Sequence, residues 1–342
     1  MSTSRAEVAA PTVHDVAGRA GVSHQTVSNV LNAPERVRPA TRERVQRAID
    51  ELGYRPHRSA RNLKARSTRT LGYLVQPIAA GAINAVLDRF LHALSDAARI
   101  QGYHILLFTR AEGQDDVAAY RELIASSAVD GFIVSETNYQ DERVRFLLRR
   151  EVPFAVFGRT ELDEPHPWVD VDNAAGTRQA VAHLSSNGHK RIAFLGWPEG
   201  SITGDERHRG YREGLLAAGL TPHPEYEVRR PDGESEGWAA CETLQALTEP
   251  PTAVVCCSDL LAAGVLRNAA ARGLRVGEQC AVIGFDDTPV AAYMTPTLTS
   301  VRQPLEAVAE TVIAQLIARI ENPLQASGQR LLTPDLVLRT SA

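Results

Sequence analysis

Apolar residues recur along this chain in two patterns, and the change between them falls near residue 70. From residue 12 to 52 the spacing is helical. Val13, Val16, Ala17 and Ala20 form one stripe, opened by Thr12-x-x-Asp15 as a capping box and closed by Gly21. Ser23 is placed to cap a second helix, whose inward stripe is Val27, Val30 and Leu31 while His24, Gln25, Ser28 and Asn29 point elsewhere. A third helix is predicted from Pro39 to Leu52 on Val45, Ala48, Ile49 and Leu52, with Pro39 suited to the first turn. Three short helices, the first two joined by a tight Ala-Gly-Val-Ser turn, predict a helix-turn-helix head over residues 1–55.

Beyond residue 70, short apolar runs alternate with amphipathic stretches. The runs 71–75, 103–108, 131–135, 154–157, 192–196, 253–257 and 281–285 read as strands. Helices are predicted over about 86–100, 115–126, 174–187, 207–218 and 259–272, each followed by Gly, Asn or Ser. This alternation implies parallel sheets with helical crossovers, in two successive runs split near residues 158–170. Two doubly wound α/β subdomains follow, and the default ligand site is the cleft at the carboxyl ends of their strands. Between head and core, residues 56–70 read as a hinge rich in Arg, in which Arg58 to Lys64 could make two helical turns only against a partner surface.

Charge sharpens this division. Residues 1–70 hold 13 Lys+Arg against 6 Asp+Glu and the remaining residues hold 24 against 35, so a net charge of −4 conceals a head at +7. An anionic partner is expected for the head, and a polar helix face on a basic bundle predicts double-stranded DNA. The four cysteines show no Cys-x-x-Cys spacing, so buried reduced thiols are expected, with no disulfide and no metal. No signal-peptide run opens the chain and no stretch approaches the length that spans a bilayer, which predicts a cytoplasmic protein without a membrane partner.

Enzyme signatures fail in turn. No two glycines stand two positions apart and neither lysine follows a glycine, so the phosphate-cradling loops that cofactor and nucleotide sites need are missing. Gly233-Glu-Ser-Glu-Gly237 has the form of a nucleophile elbow, but its flanking glutamates would oppose an oxyanion, and an acidic loop before a helix near Glu236 is expected. Asp286-Asp287 ends a strand where open sheets present ligand groups. Adjacent side chains diverge, so one acceptor aimed into the cleft is expected rather than an acid pair or metal site. No catalytic residue and no cofactor is predicted.

The string Thr12-Val-His-Asp-Val-Ala-Gly-Arg-Ala-Gly-Val-Ser-His-Gln-Thr-Val-Ser-Asn-Val-Leu-Asn32 closely resembles the DNA-binding head of the lactose/galactose repressor family. Residues 38–45, Glu51-Leu-Gly-Tyr-Arg-Pro56 and Ala60-Arg-Asn-Leu63 are similar to that family's third helix and hinge. Val171-Asp-Asn173, Gly188-His189, Arg207-x-x-Gly210-Tyr211, Ser258-Asp259 and Val282-Ile-Gly-Phe-Asp-Asp287 extend the resemblance through the core.

The resemblance implies a transcriptional repressor, a homodimer, and a core like the periplasmic sugar-binding proteins with three crossovers. It implies an N-subdomain at about 71–165 plus 303–325 and a C-subdomain at about 166–302 plus 326–342. It also implies that His24, Gln25 and Asn29 read base edges, while Thr26, Ser28, Asn32, Arg36, Arg58, Arg61 and Lys64 meet phosphates. Leu63 would be the apolar wedge in the minor groove. Asn29 stands where a frequent family variant is Arg, which moves the expected base away from guanine. For the effector the expected contacts are Arg207 and Asp286, with Gln76, Phe157, Arg159, Trp197 and Ser258 as further candidates. A sugar is the expected ligand, with a nucleobase or a corepressor as alternatives and an exported solute-binding protein as the rival class. One departure is Gly81-Ala-Ile-Asn-Ala-Val-Leu where many relatives have Asn-Pro-Phe-Phe.

Overall fold

The computed structural model describes residues 11–54, 67–76, 84–111, 113–326 and 328–342, which fall into two units divided between Thr68 and Arg69. Arg58, Arg61, Leu63 and Lys64 lie outside the described residues, as does the side chain of Asn32. The head is three helices, Val13–Ala20, His24–Asn32 and Pro39–Leu52. Thr12 and Asp15 cap each other reciprocally, and Gly21 ends the first helix at φ 63, a left-handed turn that glycine adopts without a Cβ penalty. Val16, Val27 and Val45, one from each helix, are fully buried and form the centre of the head's core with Ile49 and Tyr54. Arg19 reaches Glu51 at 2.7 Å, but both are so exposed that the pair contributes little beside that packing.

The core contains strands β1 (Thr70–Leu74), β2 (His104–Phe108), β3 (Gly131–Val134), β4 (Phe154–Phe157), β5 (Trp168–Val171), β6 (Ile192–Gly196), β7 (Glu227–Arg229), β8 (Ala253–Cys256), β9 (Ala281–Asp286), β10 (Thr299–Arg302), β11 (Gln329–Leu332) and β12 (Asp335–Val337). They form two six-stranded sheets, ordered β11-β5-β4-β3-β1-β2 and β12-β10-β9-β8-β6-β7. All pairings are parallel except β12 on β10. The chain crosses between sheets after β5, after β10 and after β11, giving three crossovers.

Two expected subdomain boundaries need correction. β5 belongs to the first sheet, so the first crossing follows Val171 rather than residue 165. β11 also pairs with β5, so the last crossing follows Leu332 rather than residue 325. Both strands are four residues long, and β11 has mostly exposed side chains, so neither leaves a strong alternating pattern. Helices Glu142–Arg149 and Leu305–Glu321 were likewise not anticipated, and the helix expected from 207 begins at Ile202, where Ser201 caps it.

Close helix packing fixes the second sheet's covering layer. A Cβ on Gly210 would collide with the backbone of Ala174, and one on Gly237 or Gly264 with the facing helix backbone. Helix Ile202–Ala217 therefore lies directly on helix Asn173–Ser186, with Tyr211 and Leu215 buried against β6. That contact holds Arg207 and Asn173 side by side at the strand ends.

Candidate functional site

In the head, the second helix presents its outward face without tertiary cover. His24 and Gln25 are exposed, Thr26, Ser28 and Asn29 are half-buried, and Arg36 stands in solvent in the turn that follows. Ser23 accepts from Thr26 N at 3.2 Å, fixing the helix start and thereby the direction of His24 and Gln25. Gln25 Nε2 donates to Asn29 Oδ1 at 3.1 Å, which couples the two amides on the outward face. His24 also meets the His14 ring edge at 5.5 Å.

In the core, a cleft of about 1240 Å³ opens at the carboxyl ends of both sheets. Gln76, Phe157, Trp197, Arg207, Ser258 and Asp286 all line it. Arg207 is the centre of the second sheet's wall, only 2% exposed. Its Nε donates to Asn173 Oδ1 at 2.9 Å, one terminal nitrogen donates to the Cys257 carbonyl, and the other reaches Asp286 Oδ1 at 3.4 Å. The guanidinium lies 3.6 Å from the Phe285 ring centre and 5.1 Å from Trp197.

Gln303 completes the grip on Asp286, donating at 2.7 Å, and Asp286 sits at φ 108, a conformation that side chains other than glycine rarely adopt. Such strain costs on the order of 1–3 kcal/mol and is held by the packing around it. Burial pushes the Asp286 carboxyl up to about 7 against the pull of Arg207. Burial likewise lifts Asp259 to about 6, although Ser300 and Thr288 donate to it. Asp287 turns away from the cleft wall to accept from Arg302 at 2.6 Å, so the two neighbouring carboxylates do diverge.

Arg159 needs correction. It does not line the cleft, because two acidic partners take its charge: Asp170 on β5 at 3.0 Å and Glu206 on helix Ile202–Ala217 at 2.8 Å. Tyr139 donates to Asp205 on the same helix at 3.2 Å. Asp205, Glu206 and Arg207 are consecutive. The first two are held by residues of the first sheet's subdomain and the third lines the cleft.

Sequence reasoning assigned no role to Asn173, Gln303, Asp232, Glu136 or Arg143, all of which line the cleft. Asn173 carried a signal in the Val-Asp-Asn string, whereas Asp232 carried none. Arg143 and Gln303 gave none either, since Arg143 lies in helix Glu142–Arg149 and Gln303 between β10 and helix Leu305–Glu321, elements that the apolar pattern missed. Among the described residues no group of His, Cys, Asp and Glu could hold a metal ion, and no helix is long and apolar enough to cross a membrane.

Residues 12–57 match the model described as bacterial regulatory proteins, lacI family, and residues 181–342 match the periplasmic binding protein-like domain. The HTH-type transcriptional regulator CelR of Thermobifida fusca is 36% identical over 97% of this chain and 98% of its own length. The chain belongs to the LacI family. The LacI-family repressor PurR of Erwinia tasmaniensis is 33% identical over 96% of both chains. Among solved structures, a transcriptional regulator CelR–cellobiose complex aligns with a TM-score of 0.73 at 33% identity, covering 97% of this chain and all of that one. The Lac repressor dimer bound to operator and the anti-inducer ONPF aligns at 0.85 with 27% identity, over 97% and 98% of the two chains. This LacI-family chain is accordingly a helix-turn-helix transcriptional repressor, and its relatives are regulators rather than enzymes.

Proposed function

We propose that this repressor binds a sugar in the cleft of its core and that the sugar sets its affinity for operator DNA. The observation that carries the reading is the grouping of Arg207, Asn173, Asp286 and Gln303 beside Trp197 and Phe157. Sugar hydroxyls need donors and acceptors at fixed positions, and the apolar face of a pyranose needs an aromatic plate. The indole Nε1 of Trp197 is buried and has no partner among the described residues, leaving a donor for a ligand oxygen. Support comes from the related CelR, whose complex holds cellobiose.

As a homodimer, like the Lac repressor dimer on its operator, the protein reads a pseudo-palindromic site. His24, Gln25 and Asn29 contact base edges, with the coupled amides of Gln25 and Asn29 favouring adenine. Thr26, Ser28, Asn32, Arg36, Arg58, Arg61 and Lys64 contact phosphates, and Leu63 wedges the minor groove. Effector control runs through helix Ile202–Ala217. A ligand drawn to Arg207 moves the same helix whose Asp205 and Glu206 are tied to Tyr139 and Arg159, so occupancy biases the angle between the subdomains.

Fluorescence polarisation on the DNA upstream of the protein's own gene tests this reading. Binding should weaken steeply with salt and exceed binding to random duplex by at least about a thousandfold. Equal binding to random duplex would refute it.

A further inference from the structure

The cleft is unusually one-sided in charge. Among the described residues nine carboxylates line it against two cations, Arg143 and Arg207. Both arginines are already paired with a carboxylate of the chain, Arg207 with Asp286 and Arg143 with Asp141. All three Arg207 nitrogens donate within the protein and its face lies on Phe285. Arg143 spends Nε and one terminal nitrogen on Asp141, at 3.0 and 2.7 Å, and that same terminal nitrogen also donates to the carbonyls of Ser135 and Glu136.

One place in the cleft that would favour a ligand anion is the start of helix Asp259–Ala271, where the first N–H groups and the helix dipole favour negative charge. A carboxylate of the chain itself stands beside it. Ser258 caps the helix by accepting from Leu261 N at 3.1 Å, and its hydroxyl donates to Asp232 Oδ1 at 2.5 Å. Asp232 is exposed in the cleft, comes from the segment after β7, and has no cation partner among the described residues. Its charge also bears on Asp286, where it adds to the rise caused by burial.

We propose that Asp232 fills the anion position of this helix start in cis, so that the cleft admits uncharged hydroxyl-rich ligands and refuses their phosphorylated or carboxylated forms. The inference rests on the cleft being the effector site and adds a charge rule to it. Like charges brought together in a cleft of this kind cost several kcal/mol in general, which corresponds to on the order of 100-fold in affinity.

The test uses the full chain and the variants Asp232→Asn and Asp232→Ser, each titrated calorimetrically with inorganic phosphate, glucose 6-phosphate, glucose and cellobiose at constant ionic strength. The comparison between variant and parent cancels any phosphate held by the basic head. At least one variant should bind phosphate about tenfold or more tightly than the parent does, with folding checked by circular dichroism. Equal phosphate binding in the parent and both folded variants, or a parent that binds glucose 6-phosphate as tightly as glucose, overturns the charge rule. Cellobiose or glucose binding with an unchanged phosphate response would leave the sugar reading intact and remove Asp232. A gained phosphate response with no binding of either neutral sugar would keep Asp232 and count against the sugar reading.

Discussion

On the second helix of the head, His24 and Gln25 stand in solvent with their directions set by one cap, whereas in the core Arg207 is almost fully buried with all three nitrogens donating. The head therefore keeps its reading groups apart from its packing, on opposite faces of a single helix. The cleft uses the same side chains to bind and to hold the fold. A substitution in the head should change recognition without stability, and one in the cleft should change both.

The largest effect should come from Arg207→Ala. It removes a buried guanidinium that donates to Asn173, to the Cys257 carbonyl and to Asp286 and leaves those acceptors unpaired, which costs about 3–5 kcal/mol, and it removes the effector response at the same time. Urea unfolding and sugar titration of the DNA complex read the two consequences separately. If stability stayed within about 0.5 kcal/mol of the parent, the claim that cleft and fold share side chains would fail.

Asn29→Ala makes the opposite case. Operator affinity should fall roughly 10- to 100-fold through loss of a bidentate base contact, while the melting temperature moves by less than about 1 °C. Polarisation and thermal melts on the same preparation check it, and a large loss of stability would erase the contrast.

Next in size is the Arg159–Glu206 bridge across the subdomains. Arg159→Ala, Glu206→Gln and the double variant should shift the effector midpoint by a few-fold with a coupling of about 1 kcal/mol, as measured by a double-mutant cycle. Additive effects would mean that the bridge does not carry the coupling.

The smallest effect concerns pH. The Asp286 carboxyl is raised from 3.8 to about 7, so the folded state holds its proton longer than the unfolded chain does. Its contribution to stability is complete below the unfolded value and is lost as pH rises through about 7. Between pH 5 and 8 the parent should lose roughly 2–4 °C more in melting temperature than Asp286→Asn does. Parallel curves would place the proton elsewhere.

The same contrast governs what the sequence reveals. The head is a local fold, with caps, turn and stripe lying within about forty residues, so its three helices and the outward side chains of the second could be read directly. The strands that are apolar throughout were also legible, because burial on both faces leaves continuous runs such as Ile192–Gly196. The cleft was legible only where a strand end or a family motif marked a residue, as with Arg207 and Asp286. Arg159 was misplaced because its two acidic partners lie 11 and 47 residues away, and no local pattern shows that an arginine is already spent. Asp232 was invisible for the same reason: its meaning depends on Ser258, 26 residues later and on another strand's end.

The most direct test of sugar control is polarisation of labelled upstream DNA bound by the parent and by Arg207→Ala, each titrated with cellobiose and a panel of other neutral mono- and disaccharides. One neutral sugar should shift the parent's DNA affinity saturably, by about tenfold or more, and leave the folded variant's unchanged. A parent whose specific DNA binding is indifferent to every sugar, or a variant that responds as the parent does, would contradict it.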